Sequence, residues 1–423
     1  MTSMAAAPVR RVAIISLHTS PLDQPGTGDG GGLNVYVLEV ARRLAARGIQ
    51  VDVFTRATRL TDPPILQVDE RFEVHHIEAG PRAQLPKDAL ANHLCAFLLA
   101  LEAHLANYGR ERGYDVVHAH YWLSGWVGRQ LRRRWHVPLV QSFHTLARVK
   151  NAALAPGDEP EPVVRLLAEE RLVEEADRIV VSVCSEASLL HGAYGISGTR
   201  LAVVPPGVDL DVFHPGPATK PLDAPPGDGP LLLFVGRLQS LKSPDVAVRA
   251  LANVRLKVPD ARLLVVGGVS GSSAGRCGPD ELRNLAEQLG VADAVAVGPA
   301  RPQLELADLY RAAAVVLVPS HSESFGLVAL EAQACATPVV AADVGGLRAV
   351  VGGGGGSLVT GHDPADYAAA VLDYLEGPAR YVRAQASALH RASRATWDRT
   401  VEGLLAVYEE VSQTRDSAEG VSA

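Results

Sequence analysis

Two carboxylates and two cations carry the clearest chemical signal in the chain. Glu323 and Glu331 bracket the stretch Ser320-His-Ser-Glu-Ser-Phe-Gly-Leu-Val-Ala-Leu-Glu-Ala-Gln-Ala334, and Arg237 and Lys242 sit in Gly236-Arg-Leu-Gln-Ser-Leu-Lys-Ser-Pro-Asp245. A helix is expected to begin near Ser324, a side chain suited to an N-cap, with Phe325, Leu327, Val328 and Leu330 behind it. Gly326 leaves room for a ligand to approach the backbone there. The N–H groups of a helix N-terminus, with the positive end of the dipole, suit a phosphate. Arg237 offers a planar fork and Lys242 a point charge, so the pair can converge on a diphosphate from one side. If helical rise held throughout, the two carboxylates would lie about 12 Å apart. That span suits a ligand with an anionic middle and hydroxyls at both ends, as in a nucleotide sugar. The bare spacing carries no information, because Glu70/Glu78, Glu161/Glu169 and Glu402/Glu410 repeat it. Its setting gives it weight: an apolar strand before it, Ser-Phe-Gly within it, and Thr337-Pro-Val-Val340 opening another strand after it.

Other motifs are weaker. Gly26-Thr-Gly-Asp-Gly-Gly31 satisfies the G-x-G-x-x-G pattern of dinucleotide sites. Its first glycine, however, lies eight residues past His18, and the acid further on, Asp52, falls inside a strand rather than at its end. A flexible anion-binding loop fits better. Asp209-Leu-Asp211 has the form of a cation-holding D-x-D, but it lies in a Pro-rich linker and reads as turn residues. His18, His118, His120, His144, Thr145 and Ser185 gather at strand ends, the rim where doubly wound sheets bind ligands.

The elements that would position these groups alternate strand and helix. Arg11-Val-Ala-Ile-Ile-Ser-Leu17 is a continuous apolar strand of the kind buried in a parallel sheet, followed by the Gly-rich loop, a helix over 35–48 and a second strand over 49–55. Further strands are expected at 72–77, 115–119, 138–143, 178–183 and 201–204, with helices over 89–108 and 161–175. Pro, Gly and Asp dominate from Pro205 to Asp228, an interdomain linker. A second series follows, with strands at 231–237, 262–266, 295–297, 314–318 and 338–341. At 423 residues the chain is too long for one ordinary core. The expected architecture is α/β, two Rossmann-like doubly wound domains facing a cleft. An acceptor-side domain would cover 1–206, a nucleotide-sugar domain 207–395, and 396–423 would form a C-terminal helix returning to the first domain, with a frayed tail.

Composition excludes some classes. The formal net charge of -7 argues against a nucleic-acid binder held by bulk electrostatics. Cys95, Cys184, Cys277 and Cys335 show no metal-ligand spacing and read as reduced thiols. The N-terminus has no apolar core of signal-peptide length, and no apolar run long enough to span a bilayer is expected. The expectation is a cytoplasmic protein with no membrane partner.

Gly236-Arg-Leu with Lys242, and Glu323-Ser-Phe-Gly-Leu-Val with Glu331, resemble the E-x7-E retaining glycosyltransferases of GT-B fold. Three further segments narrow the likeness: Ser20-Pro-Leu-Asp-Gln-Pro-Gly-Thr-Gly-Asp-Gly-Gly-Gly-Leu-Asn-Val-Tyr36, His120-Tyr-Trp-Leu-Ser-Gly125 and Phe143-His-Thr-Leu-Ala-Arg-Val-Lys-Asn151. With them the chain resembles, from about Arg10 to Tyr408, the D-inositol-3-phosphate glycosyltransferases of mycothiol biosynthesis. The resemblance implies transfer of N-acetylglucosamine from UDP-N-acetylglucosamine to 1D-myo-inositol 3-phosphate with the anomeric configuration retained. It assigns the donor diphosphate to Arg237 and Lys242, the ribose diol to Glu331, and the sugar hydroxyls to Glu323. Backbone groups of Phe325, Gly326 and Leu327 would bind the sugar and β-phosphate, and backbone near Arg301 the uracil, with Gln24, Pro25 and Gly32 touching the donor from the first domain. Acceptor binding would fall to His18, Asp29, Gly30, Gly31, Gly32, Leu33, Asn34, Lys87, Tyr121, Thr145 and Arg165; Lys87 and Arg165 rest on the resemblance alone. It also implies a structural Mg²⁺ on backbone groups of Tyr310, Arg311, Ala313 and Thr337, no cofactor for catalysis, and a homodimer. Arg148 stands where the family usually has Lys, which keeps the charge. No carboxylate is both placed on the reacting face and free of a binding role, so same-face attack is expected, with His144 orienting the sugar among the catalytic groups Arg237, Lys242 and Glu323. A sucrose-phosphate-synthase-like transferase and a same-fold UDP-sugar epimerase are the competing readings, with a non-catalytic nucleotide-sugar sensor behind them.

Overall fold

The continuous apolar runs become strands buried on both faces. The structure, a computed structural model, describes residues 8–109, 113–154, 159–269 and 277–420, with side chains as far as 414. Its first sheet contains β1 (Arg11–Ile15), β2 (Gln50–Arg56), β3 (Ile65–Asp69), β4 (Phe72–Ile77), β5 (Val116–His120), β6 (Leu139–Ser142), β7 (Arg178–Val181) and β8 (Leu201–Val203). The spatial order is β3-β4-β2-β1-β5-β6-β7-β8, parallel except for β3, which pairs antiparallel with β4 at the edge. The second sheet contains β9 (Leu231–Val235), β10 (Arg262–Val266), β11 (Val295–Gly298), β12 (Val315–Val318), β13 (Val339–Ala342) and β14 (Gly356–Val359), all parallel in the order β11-β10-β9-β12-β13-β14. In each sheet the strand order reverses beside the first strand, β1 or β9, and a ligand crevice is expected off the carboxyl ends at that switch.

Two strands escaped sequence reading. β3 is mostly exposed, so it lacks the apolar run that announces a buried strand. β14 emerges directly from the glycine run at 352–356. The stretch Lys87–Asn107 has, by length and composition alone, the mean hydropathy (1.4) of a membrane-crossing helix, contrary to the expectation that none would. In the fold it breaks at Ala91–His93, and Leu94, Phe97, Leu98, Leu101 and Leu105 pack into the core beside the first sheet.

The helix Trp397–Gly420 packs on the first sheet, although the chain reaches it from the second. Trp397, Val401, Leu404, Val407, Tyr408 and Val411 are buried against the helix Gly32–Ala46 and the strands beneath it. Trp397 sets its ring edge-on to Tyr36 at 5.7 Å, and Tyr408 OH lies 2.7 Å from His118 Nδ1. The two chain crossings between the domains run side by side, with Val208 N donating to Ala395 O at 2.8 Å. A Cβ at Gly207 would sit 2.1 Å from Trp397 N, so only glycine permits this approach. Asp209 and Asp211 turn the chain here: Asp209 Oδ1 accepts from Asp211 N, and Asp209 Oδ2 is 3.4 Å from Arg43.

Trp397 is 2% exposed and is the largest side chain joining the returning helix to the first domain. Trp397→Ala is expected to lower the unfolding free energy of that domain by about 3–5 kcal/mol. Urea denaturation followed by circular dichroism checks this, and a loss below about 1 kcal/mol would mean that the helix adds little to the core.

Candidate active site

The strand ends of both sheets open onto one cavity of about 320 Å³. Its wall from the second domain begins with the β12 turn. The helix there runs from Leu327 to Ala334, so it starts two residues later than an N-cap at Ser324 suggests. Its N-cap is Gly326, at φ 105°, where a Cβ would come within 2.7 Å of Leu347. Ser324 is diverted from capping: its hydroxyl donates across the cleft to the carbonyl of His144. Because Glu323 precedes the helix, helical rise does not describe its separation from Glu331. Backbone of Phe325, Gly326 and Leu327 nevertheless lines the cavity with both carboxylates, Arg237 and Lys242.

Glu323 and Lys242 form an ion pair in this state. Glu331 is buried and accepts from Tyr310 OH at 2.9 Å; burial pushes its pKa up to about 7. Burial also lowers the pKa of Arg237, with the carboxylates of Asp29 and Glu323 opposing the shift.

The wall from the first domain is formed by the Gly-rich loop and the ends of β1, β5 and β6. Pro25, Asp29, Gly31, Gly32, Leu33, His18, Lys87, Tyr121, His144 and Thr145 all line the cavity. Lys87 Nζ lies 3.0 Å from Asp29 Oδ1 and 5.8 Å over the Tyr121 ring. Its pKa is lowered by burial, against which Asp29 acts. His18 is held neutral, well below its ordinary value, by burial and then by the neighbouring charge of Lys87. Positive charge is thus concentrated on both sides of the cavity.

Four expected site residues stand behind the wall and support it. Gln24 Nε2 donates to the Arg301 carbonyl at 2.8 Å, tying the loop to the second domain. Gly30 closes a tight turn, donating to Thr27 O at 2.8 Å, and a Cβ there would meet Gln24 O at 2.9 Å. Asn34 is fully buried; its Oδ1 accepts from Gly31 N at 2.9 Å, and its Nδ2 donates to Thr19 Oγ1 at 2.6 Å and to Ser20 O. Its amide therefore orders the loop and does not line the cavity. Arg165 is buried between Glu161 and Glu169, at 2.8 and 2.7 Å, donates to Thr145 O and Oγ1, and lies 4.8 Å over Tyr121. Arg301 reaches the wall with its guanidinium held by Asp223 at 2.6 Å. Tyr36, Lys150, Ser182 and Gln303 also line the cavity. Tyr36 and Lys150 lie inside the segments that carry the family resemblance, but no spacing rule singles them out.

Of the four backbone groups expected to hold Mg²⁺, the Tyr310 carbonyl is already engaged in this structure. The Tyr310 carbonyl accepts from Thr337 Oγ1 at 2.6 Å and from Ala313 N at 3.3 Å. The guanidinium of Arg311 pairs with Asp308 at 2.6 Å and donates to His214 O. Among the described residues one group has the compactness of a metal cluster, Asp52, Glu73 and His75. Asp52 there already accepts from Arg11, Tyr114 and Gln50, and none of the three lines the cavity.

Comparison with known proteins agrees with this arrangement. Residues 31–207 match the family described as a glycosyl transferase 4-like domain, and residues 220–391 match glycosyl transferases group 1. The chain is 53% identical over 411 residues to the D-inositol 3-phosphate glycosyltransferase of Nocardiopsis dassonvillei, covering 96% of this chain and 95% of that protein. It is 53% identical to the protein of that name from Acidothermus cellulolyticus, covering 97% and 92%. Among solved structures, sucrose-phosphate synthase from Thermosynechococcus elongatus superposes with a TM-score of 0.85 at 31% identity, covering 95% of this chain and 99% of that one. Anabaena HepE in complex with UDP and glucose superposes at 0.72 and 19% identity, covering 95% and 100%, and so shares the fold. The chain belongs to the D-inositol 3-phosphate glycosyltransferase family, built on the GT-B fold.

Proposed function

We propose that the chain transfers N-acetylglucosamine from UDP-N-acetylglucosamine to 1D-myo-inositol 3-phosphate with retention of configuration, a step of mycothiol biosynthesis. One observation carries the reading: the cavity has two separate cationic walls. Arg237 and Lys242 beside a helix N-terminus suit a diphosphate. Lys87, backed by Arg165 behind Tyr121 and Thr145, suits a phosphate monoester on the acceptor. An epimerase would leave the second wall without a purpose. The sucrose-phosphate alternative is less favoured, at 31% identity to that structure against 53% to the inositol-phosphate enzymes. The same proposal includes a homodimer, a cytoplasmic location and no catalytic cofactor, which rest on the family and the composition.

In this mechanism Lys242 exchanges its Glu323 partner for the arriving diphosphate, and Glu323 is released to accept from the sugar hydroxyls. The acceptor oxygen then forms its bond to the anomeric carbon on the face from which the β-phosphate departs. The breaking C–O bond leaves its electron pair on UDP, and the acceptor's proton passes to a departing phosphate oxygen. Arg237, Lys242 and the N–H groups at Phe325–Leu327 stabilise the charge that builds there.

UDP release with the N-acetylglucosamine donor, comparing inositol 3-phosphate, inositol and fructose 6-phosphate, tests the reading. Turnover is expected with inositol 3-phosphate alone, and activity restricted to fructose 6-phosphate would move the chain to the sucrose-phosphate branch. Lys242→Ala should slow turnover by roughly 100-fold or more, and a drop under about threefold would remove Lys242 from the mechanism. Glu331 has its pKa raised to about 7, so its carboxylate ionises as pH climbs through that value and accepts more strongly from a ribose diol. UDP affinity measured by calorimetry should therefore rise by about five- to tenfold between pH 6 and 8. Glu331→Gln should lose this dependence; an identical pH profile in the variant would exclude a titrating Glu331–ribose contact.

A further inference from the structure

Beneath the cavity wall lies a buried row of imidazoles, two from β5 and one following β6. His118 is committed at both nitrogens, to Tyr408 OH at 2.7 Å and to Ser142 Oγ at 2.9 Å. His144 lines the cavity and places its Nε2 2.8 Å from His120 Nδ1, so Nδ1 is the nitrogen it has left to offer a ligand. His120 is wholly buried, and among the described residues its Nε2 has no hydrogen-bond partner. The two ring centroids lie 5.1 Å apart with an interplanar angle of 28°, as an edge-to-edge hydrogen bond requires, and Tyr36 sets itself edge-on to His144 at 5.2 Å. The His144 backbone is equally constrained: φ is 59°, and its carbonyl accepts from Ser324 of the facing domain. A ring held in this way does not turn freely.

One of the two nitrogens that meet must carry the hydrogen. If His144 donated from Nε2, His120 would accept at Nδ1 and carry its own proton on Nε2, a buried N–H with no acceptor. If His120 donates from Nδ1, its Nε2 is only a bare lone pair, which is the less costly group to bury alone. Burial keeps both rings neutral, His120 well below its ordinary pKa and His144 down to about 4, so neither escapes the choice by becoming an imidazolium.

We infer that His120 is a positioning residue, donating Nδ1–H to His144 Nε2 and so fixing His144 as the tautomer that offers Nδ1–H to the reactants. The tautomer follows from the hydrogen bond at the other ring nitrogen, as for any orienting partner of a histidine. The chemical consequence rests on the transferase reading. A neutral His144 protonated at its only available nitrogen is a donor to a sugar or phosphate oxygen and cannot take the acceptor's proton. That proton must then leave with the departing phosphate.

The test uses the full chain labelled with ¹⁵N-histidine, the His144 signals being identified by their loss in His144→Gln. Nδ1 of His144 should show the shift of a protonated nitrogen and Nε2 that of a bare one. His120→Leu should move His144 toward the Nε2-protonated form and lower kcat by roughly 10-fold or more. His120→Asn can return an N–H to the place of Nδ1–H and should restore the native tautomer and most of the rate. The inference is overturned if wild-type His144 is protonated at Nε2, if His120→Leu keeps both the tautomer and the rate, or if a folded His120→Asn is as impaired as His120→Leu. The spectra need no substrate. A wild-type protein inactive on UDP-N-acetylglucosamine and inositol 3-phosphate would thus sink the proposed reaction while the tautomer is still decided.

Discussion

The cleft is governed by the cost of withdrawing positive charge from water. Lys87, Arg165, Arg237 and Lys242 all stand on or just behind one small cavity. An ion taken from water costs several kcal/mol unless a counter-charge offsets it. The fold supplies the offset unevenly. Arg165 has two carboxylates, Glu161 and Glu169, and is held permanently as part of the scaffold. Lys87 and Lys242 are held by single carboxylates, Asp29 and Glu323, that themselves line the cavity. Those two pairs can be exchanged for phosphate oxygens, while Arg165 stays in place. Under the proposed function, the difference separates cations that would bind ligand from the one that supports them.

Keeping the two cationic walls opposed is the work of the rest of the molecule. Each sheet presents its carboxyl ends to the cleft, and the Gly-rich loop bridges the gap between them. Gly26 O accepts from Gly268 N at 2.9 Å, and a Cβ at Gly268 would meet that oxygen at 2.4 Å. Gln24 reaches Arg301 O, and Gly32 lies against Leu327. On the far side, the returning helix buries Trp397 and Tyr408 in the first domain, and Tyr408 meets His118 in the imidazole row below His144. The loop, the second sheet and the C-terminal helix therefore converge on a few cleft residues. This explains why so much glycine and so many buried polar groups gather there.

The sheets could be read from the sequence because strands buried on both faces are continuous apolar runs, as in β1, β9 and β12. β3 escaped because it is an exposed edge strand, and no run marks it. The Glu323–Glu331 element was legible in its residues but not in its geometry. A local capping rule assigns Ser324, whereas the cap is Gly326 because Ser324 is drawn to His144 across the cleft. No local pattern encodes a bond spanning 180 residues. The same holds for Lys87 and Arg165, whose environments come from distant strands and helices, so only family resemblance could mark them. Asn34 shows the reverse limit. Resemblance places it among ligand contacts, yet its amide is fully engaged in shaping the loop.

Under the proposed function, Arg237 and Lys242 would make the second wall a diphosphate site, with the base and ribose contacts secondary. The most direct measurement is calorimetric titration of UDP and of uridine into the wild type and into the Arg237→Ala/Lys242→Ala double variant. UDP should bind the wild type roughly 100-fold more tightly than uridine, the difference supplied by charge-assisted contacts, and the gap should largely vanish in the double variant. Comparable affinities for UDP and uridine in the wild type, or an undiminished gap in the variant, would contradict the account.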